Sequence, residues 1–103
     1  MGSGYVGILS AELHFPDSGS LKGKRKHLLS VKAQLQRRFG ASVAEVDHHD
    51  LWQRSTLAVA LVSGSVTEVE RNADGLERYL LGRFPDGIRI ERHLVSFEDL
   101  SAG

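Results

Sequence analysis

The sequence predicts an α+β fold in which two helices cover one face of a four-stranded antiparallel sheet. Two segments repeat apolar residues at helical spacing, and four shorter segments alternate or run apolar as strands do. The 103 residues, 41% hydrophobic and 25% charged, fit one globular domain. We therefore expect a single domain over residues 1–103, with an ordered core at about 5–97 and flexible ends.

The first strand is predicted over Tyr5–Phe15, because its residues alternate between two faces. A cluster of proline, glycine and polar residues at 16–20 forms the turn that ends it. The face expected to meet the helices carries Leu9, Ala11, Leu13 and Phe15, and the opposite face carries Val6, Ile8, Ser10, Glu12 and His14.

The first helix is predicted over Leu21–Phe39. Ser20 is suited to cap its first turn, and Gly40 is suited to end it. Gly23 slightly weakens the first turn, since glycine is a poor helix former. One stripe at helical spacing holds the apolar residues Leu21, Leu28, Val31, Leu35 and Phe39.

The second half of the chain supplies the other strands and the second helix. Residues 41–46 suit a second strand, and Ser55–Ser63 is apolar on both faces, which places it in the middle of the sheet. Ser65 and Glu68 form a capping box, so a second helix starts there. Alternating apolar residues from 88 to 94 predict a last strand, followed by a loose tail.

The resulting order, β-α-β-β-α-β, is the ferredoxin-like plan. Such a sheet has one face without helices, where Val6, Ile8 and one side of the third strand would be exposed. A second copy of the chain is the simplest cover for that face. The sequence therefore predicts a homodimer through the open sheet face.

The charges are unevenly distributed although the net charge is zero. Residues 16–40 carry a balance of +6, residues 41–103 carry −5, and every lysine lies between 22 and 32. Such a helix is either a solvated face with lysine stems over apolar surface or a polyanion site. Lys24, Arg25 and Lys32 fall within or beside the apolar stripe, so we expect the first turn to project past the core and bind phosphate. The candidate anion- or RNA-binding residues are Lys22, Lys24, Arg25, Lys26, Lys32 and Arg37.

Several classes of function are excluded or disfavoured. Nucleotide hydrolysis is disfavoured. Gly19–Arg25 resembles a P-loop, but the spacing between its glycines is one residue short, and Arg25 stands where a P-loop has a metal-binding Ser or Thr. The absence of cysteine excludes disulfides, thiolate zinc sites and cysteine catalysis, and it fits a reducing cytoplasm. No apolar run approaches the roughly 20 residues that span a bilayer, and no secretory signal is recognisable. We expect a cytoplasmic protein with no membrane association.

Residues 47–54 hold the other candidates for chemistry. Asp47–Asp50 offers carboxylate and imidazole groups for a divalent ion or for acid–base work, or else forms a polar loop whose aspartate accepts backbone N–H groups. Trp52 is either a core or dimer contact or a surface for stacking on a base. Stacking on the sheet itself is disfavoured, because Ser10 and Glu12 occupy the open-face positions.

Two motifs in order resemble the YlxP-like family of small bacterial proteins. The first is LHFP at 13–16 with SLKxKR at 20–25, and the second is VAEVDHxDLWQR at 43–54, where x is any residue. The resemblance covers roughly residues 5–97 and implies a ferredoxin-like fold. The family is a domain of unknown function, often encoded near genes for ribosome maturation and translation initiation. The resemblance therefore implies an RNA- or ribosome-related role and supplies no catalytic residues.

The sequence thus favours a non-enzymatic protein that binds RNA or the ribosome through its first helix, with no cofactor and no resident metal. One alternative is a homodimeric protein-interaction module, and another is a metal-binding protein or enzyme using the Asp-His-His-Asp segment. The candidate partner-binding residues are Asp47, His48, Asp50, Trp52 and Arg54.

Overall fold

A computed structural model describes residues 4–16, 19–85 and 87–102. Within these residues the chain forms four strands and three helices. Their order is β1 (Tyr5–His14), α1 (Leu21–Phe39), β2 (Ser42–Asp47), β3 (Arg54–Ser63), α2 (Val66–Arg83), β4 (Ile88–Ser96) and α3 (Phe97–Ala102).

The strands form one antiparallel sheet in the order β2-β3-β1-β4. The predicted ferredoxin-like plan is confirmed, and β3, apolar on both faces, lies inside the sheet as expected. Val6 pairs with Val62 and Leu9 pairs with Val59 in the central β1–β3 ladder. The β2–β3 register shifts between Glu45 and Asp47, so the edge strand β2 carries an irregularity of the β-bulge type.

The hydrophobic core fills the space between the helices and one face of the sheet. Because side chains alternate along a strand, the odd-numbered residues of β1 and β3 face the helices. Gly7 lies in this face at a close approach to α2, since a Cβ there would lie 2.9 Å from Val69 Cγ1. The buried apolar residues are Leu9, Ala11, Leu13, Phe15, Leu28, Val31, Leu35, Ala41, Leu57, Val59, Leu61, Val69, Ala73, Leu76, Leu80 and Phe84.

An aromatic cluster joins α1 to α2. The His27 ring stacks on Phe84 at a centroid distance of 5.5 Å and meets Phe15 edge-on at 5.1 Å. Arg83 Nε donates to His27 Nε2 at 3.3 Å, and Arg83 Nη1 donates to the Tyr79 hydroxyl at 2.7 Å. Burial and the neighbouring guanidinium both lower the pKa of His27, so the folded state favours the neutral imidazole.

The chain ends differently from the expected loose tail. Residues Phe97–Ala102 form α3, in which the Ser96 hydroxyl accepts the backbone N–H of Asp99 at 3.0 Å. The Phe97 N–H also donates to the Gly4 carbonyl at 2.6 Å, which ties α3 to the start of β1. The turn residues Asp17, Ser18 and Asp86 lie outside the described residues.

Candidate functional site

Helix α1 is oriented by its buried stripe and by both of its caps. Leu28, Val31 and Leu35 lie in the core, three or four residues apart. The Ser20 hydroxyl accepts the Gly23 N–H at 3.1 Å, and Gly40 ends the helix in the left-handed conformation, with φ 63°. The opposite side of α1 therefore faces solvent along its whole length.

Most of the predicted cations lie on or beside this solvent side. Lys22, Arg25, Lys26 and Arg37 are exposed, and Lys32 is half-buried. Helix α1 contains no aspartate or glutamate, so no side chain of the helix itself neutralises these charges. We call this set the basic face, defined as Lys22, Arg25, Lys26, Lys32 and Arg37.

Lys24 does not belong to the basic face, because its side chain is 0% exposed. The expectation that it would contact an anion with its neighbours is wrong, as is the expectation that the first turn projects past the core. Lys24 continues the buried stripe by one turn beyond Leu28. Its Nζ donates to the backbone carbonyls of His48 at 2.7 Å, His49 at 3.4 Å and Arg54 at 3.0 Å.

Glu45 on β2 completes this buried polar cluster. Its Oε2 lies 3.2 Å from Lys24 Nζ and accepts the Ser55 hydroxyl at 2.6 Å. Burial alone would raise the pKa of Glu45, but the hydrogen bonds from Ser55 and Lys24, together with the positive charge of Lys24 and the nearby His49, outweigh it and lower that pKa. The cluster is thus an ion pair with four hydrogen bonds, and it fixes the β2–β3 connection on the first turn of α1.

Glu45 and Ser55 were missed as polar core residues at the sequence level. The signal for Lys24 was present, because a lysine in phase with Leu28, Val31 and Leu35 must either leave the core or find acceptors there. The acceptors are carbonyls 24–30 residues away, which spacing along the chain does not reveal.

The β2–β3 connection follows the pattern of a polar loop. The Asp47 carboxylate accepts the His48 N–H at 2.7 Å, and His48 takes a positive φ of 63°. Asp47, Asp50, Trp52 and Arg54 are exposed, whereas His48 is half-buried. An aspartate therefore accepts a backbone N–H here, as the polar-loop alternative requires.

Residues 48–54 are called the Trp52 loop below. Trp52 is 49% exposed and Leu51 is 45% exposed. Trp52 is thus not a core anchor, and its indole is accessible to another molecule. The loop is also fixed from β1, because the Phe15 N–H donates to the Gln53 carbonyl at 2.7 Å.

The described residues also bear on metal binding and membrane insertion. Over residues 4–16, 19–85 and 87–102, no group of three or more histidine, aspartate or glutamate side chains is arranged to hold a metal ion. None of the helices in that same part of the chain is long and apolar enough to cross a membrane.

The open sheet face divides into an apolar end and a polar end. Ile8 is 46% exposed and Val62 is 76% exposed, as predicted for the uncovered side of β1 and β3, while Val6 is half-buried. The polar end holds a depression lined by Ser10, Glu12, Arg89 and Glu91.

The strand order β2-β3-β1-β4, with α1 and α2 packed on one face, defines a small α+β domain of the ferredoxin-like class. The chain belongs to the family described as "Protein of unknown function (DUF503)", whose sequence model matches residues 6–91. It is 34% identical over 95 residues to "Uncharacterized protein YlxP" of Bacillus subtilis (strain 168), an alignment covering 90% of this chain and 97% of that protein. The YlxP-like resemblance is thereby confirmed.

Solved structures resemble the chain in fold. The de novo designed protein Foldit4 has a TM-score of 0.58 at 10% identity, covering 89% of this chain and 96% of the design. The de novo designed protein LFR1 1, described as having a ferredoxin fold, has a TM-score of 0.46 at 12% identity, covering 87% of this chain and 83% of the design. At such identities the Foldit4 likeness shows the fold alone.

Proposed function

We propose that the chain is a non-enzymatic cytoplasmic protein that binds RNA, free or within the ribosome, through the basic face of α1. The observation that carries the proposal is the basic face itself, five cations on a helix that contains no acidic residue. Phosphates attract such a face irrespective of base sequence. Lys24 takes no part in RNA contact, since it is buried and fully bonded.

The proposal predicts a strong and calculable dependence on salt. If all five cations of the basic face contact phosphates, log K falls with log salt concentration at a slope of about −3.5 for single-stranded RNA. Affinity then decreases about 100-fold between 50 and 200 mM salt. Binding dominated by apolar contacts would change little over the same range.

The test is fluorescence anisotropy with labelled RNA across this salt range, together with co-sedimentation with ribosomes at low salt. The double variant Lys22→Glu/Lys26→Glu should lose most of the affinity and lower the slope. The matched control, Arg71→Glu/Arg78→Glu, makes the same charge change at exposed positions on α2 and should bind more tightly than the α1 variant. Equal binding by the two variants, or binding that salt does not weaken, would overturn the proposal.

A second candidate function is favoured by the open sheet face. We propose that a second copy of the chain covers it. Exposed apolar side chains cluster on paired strands, with Val62 76% exposed and Ile8 46% exposed. Glu12 and Glu91 lie with Arg89 at the polar end, so a face related to itself by a two-fold axis can pair opposite charges.

Light scattering coupled to size-exclusion chromatography tests the dimer. The wild type should elute as a dimer at micromolar concentration, and Val62→Glu should be monomeric at the same concentration. The control is Leu81→Glu, which changes another exposed aliphatic residue, 53% exposed and located on α2, and should stay dimeric. A monomeric wild type, or a dimer unaffected by Val62→Glu, would refute this use of the sheet face.

A further inference from the structure

We infer that the Trp52 loop and the first turns of α1 form one surface that binds unpaired nucleotides of single-stranded RNA, with the Trp52 indole stacked on a base. The inference rests on the proposed function and deepens it. The proposed function gives the Trp52 loop no role, and this inference assigns it the unpaired bases of single-stranded RNA as a ligand. We call this the loop–helix surface, defined as Lys22, Arg25, Lys26 and Trp52.

Lys24 ties the Trp52 loop to the first turn of α1. Its Nζ binds carbonyls at both ends of the loop, those of His48 and His49 at one end and that of Arg54 at the other. Both ends of the loop therefore lie within one lysine side chain of the first turn of α1, and the exposed Trp52 lies in the stretch between them. Lys22, Arg25 and Lys26 belong to that turn and the next, and all three are exposed.

The chemistry of the surface matches a single strand better than a duplex. Phosphate contacts from lysine and arginine suit either form of RNA, whereas stacking on an aromatic side chain requires a base that is not already stacked within a helix. Trp52 offers a flat indole that is 49% exposed. In the described part of the chain the open sheet face bears no Phe, Tyr or Trp, and the other exposed aromatic side chain, Phe97, lies on α3, which is tied to the start of β1 and not to α1.

The loop is also held in place before any ligand arrives. The Lys24 and Glu45 ion pair, 3.2 Å long, fixes its base, and the Phe15 N–H to Gln53 carbonyl bond fixes the residue that follows Trp52. A loop backbone that is already ordered loses little conformational freedom on binding, so stacking on Trp52 contributes to affinity more fully. Lys24 thus acts as a positioning residue for Trp52 and makes no RNA contact itself.

The chain carries its own probe for this inference, since Trp52 is the only tryptophan in the sequence. Titration with a single-stranded oligouridylate of about 12 nucleotides, a length within the usual site size, should quench the tryptophan fluorescence. A duplex RNA of the same length should bind through the cations with little quenching. A labelled copy of each RNA reports total binding by anisotropy in the same titrations.

Two variants separate stacking from general effects. Trp52→Ala should weaken single-strand binding about 10-fold, as expected for one lost base stack, and leave duplex binding within about two-fold. Leu51→Ala, the matched control, removes a neighbouring residue of similar exposure, 45%, and should leave both affinities within about two-fold. Circular dichroism verifies that both variants are folded.

The outcomes distinguish this inference from the proposed function. Salt-sensitive binding that depends on Lys22 and Lys26, but with no quenching and no effect of Trp52→Ala, overturns the inference and leaves the proposed function standing. Equal quenching by duplex and single strand also overturns it. If neither RNA binds at low salt, both the proposed function and the inference fail.

Discussion

Replacing Lys24 by Met tests whether the buried ammonium organises the site. Methionine retains an unbranched apolar stem in the stripe of α1 and removes the charge. Glu45 then keeps only Ser55 as a hydrogen-bond donor, and three loop carbonyls lose the ammonium that they share. Each of these groups must find water or remain unsatisfied.

The expected loss of stability is about 3–5 kcal/mol, the usual cost of breaking a buried ion pair by removing one partner. The lower end is favoured here, because the Glu45 side chain is 16% exposed and water can reach it. Counting each lost carbonyl bond separately at about 1–3 kcal/mol would exceed this range, but the loop can open and hydrate its carbonyls. A domain of this length is stable by about 5–15 kcal/mol, so the variant folds marginally.

Urea unfolding followed by circular dichroism measures this loss, and a loss of about 3 kcal/mol, the favoured lower end, should lower the melting temperature by roughly 12–24 °C. Lys22→Met is the matched control, since Lys22 is exposed two residues away and its replacement should change stability by less than about 0.5 kcal/mol. If Lys24→Met is as stable as Lys22→Met, the buried cluster does not hold the loop, and the positioning role assigned to Lys24 is refuted.

Three further predictions concern the protonation of His27 and the space around two glycines. His27 has a lowered pKa in the folded state, so the unfolded chain binds more protons; stability should be full above pH 6.5 and decline as the pH falls below it. Urea unfolding at several pH values should show this decline between pH 7 and 5, and His27→Phe should reduce its slope; an unchanged slope would contradict the assignment. Gly7→Ala should destabilise by about 1–3 kcal/mol, because its Cβ would lie 2.9 Å from Val69 Cγ1, and thermal unfolding at neutral pH detects the loss. Gly82→Ala meets no atom within 4 Å and should stabilise α2 by up to about 1 kcal/mol in that assay, so a loss there would show that the space is not open.

Local chemistry explains why most of the fold could be predicted from the sequence. The bounds of α1 were predicted as Leu21–Phe39 and are confirmed, because Ser20 and Gly40 act through bonds within one turn of the helix. The bounds of the strands were also predicted to within one or two residues, because the alternation of apolar and polar residues is a local pattern. Helix α3 was missed although Ser96 and Asp99 carry a capping signal, since a six-residue helix has little periodicity to detect.

The candidate site could be predicted only in part, because its geometry depends on distant contacts. Spacing placed Lys22 and Lys26 on the polar side of α1, and both are exposed. Spacing also placed Lys24 within the apolar stripe. Whether its side chain is buried or exposed depends on hydrogen-bond acceptors in the Trp52 loop, whose shape includes the positive φ of His48. The sequence alone did not show that the basic helix and the Trp52 loop are neighbours.

The two edges of the sheet discourage pairing with a strand from another molecule. Strand β2 has six residues, and its shift between Glu45 and Asp47 interrupts the straight row of backbone groups that an added strand would need. Strand β4 forms the other edge and carries the exposed charged residues Arg89 and Glu91. Both edges therefore carry features that oppose the edge-to-edge pairing from which fibrils grow.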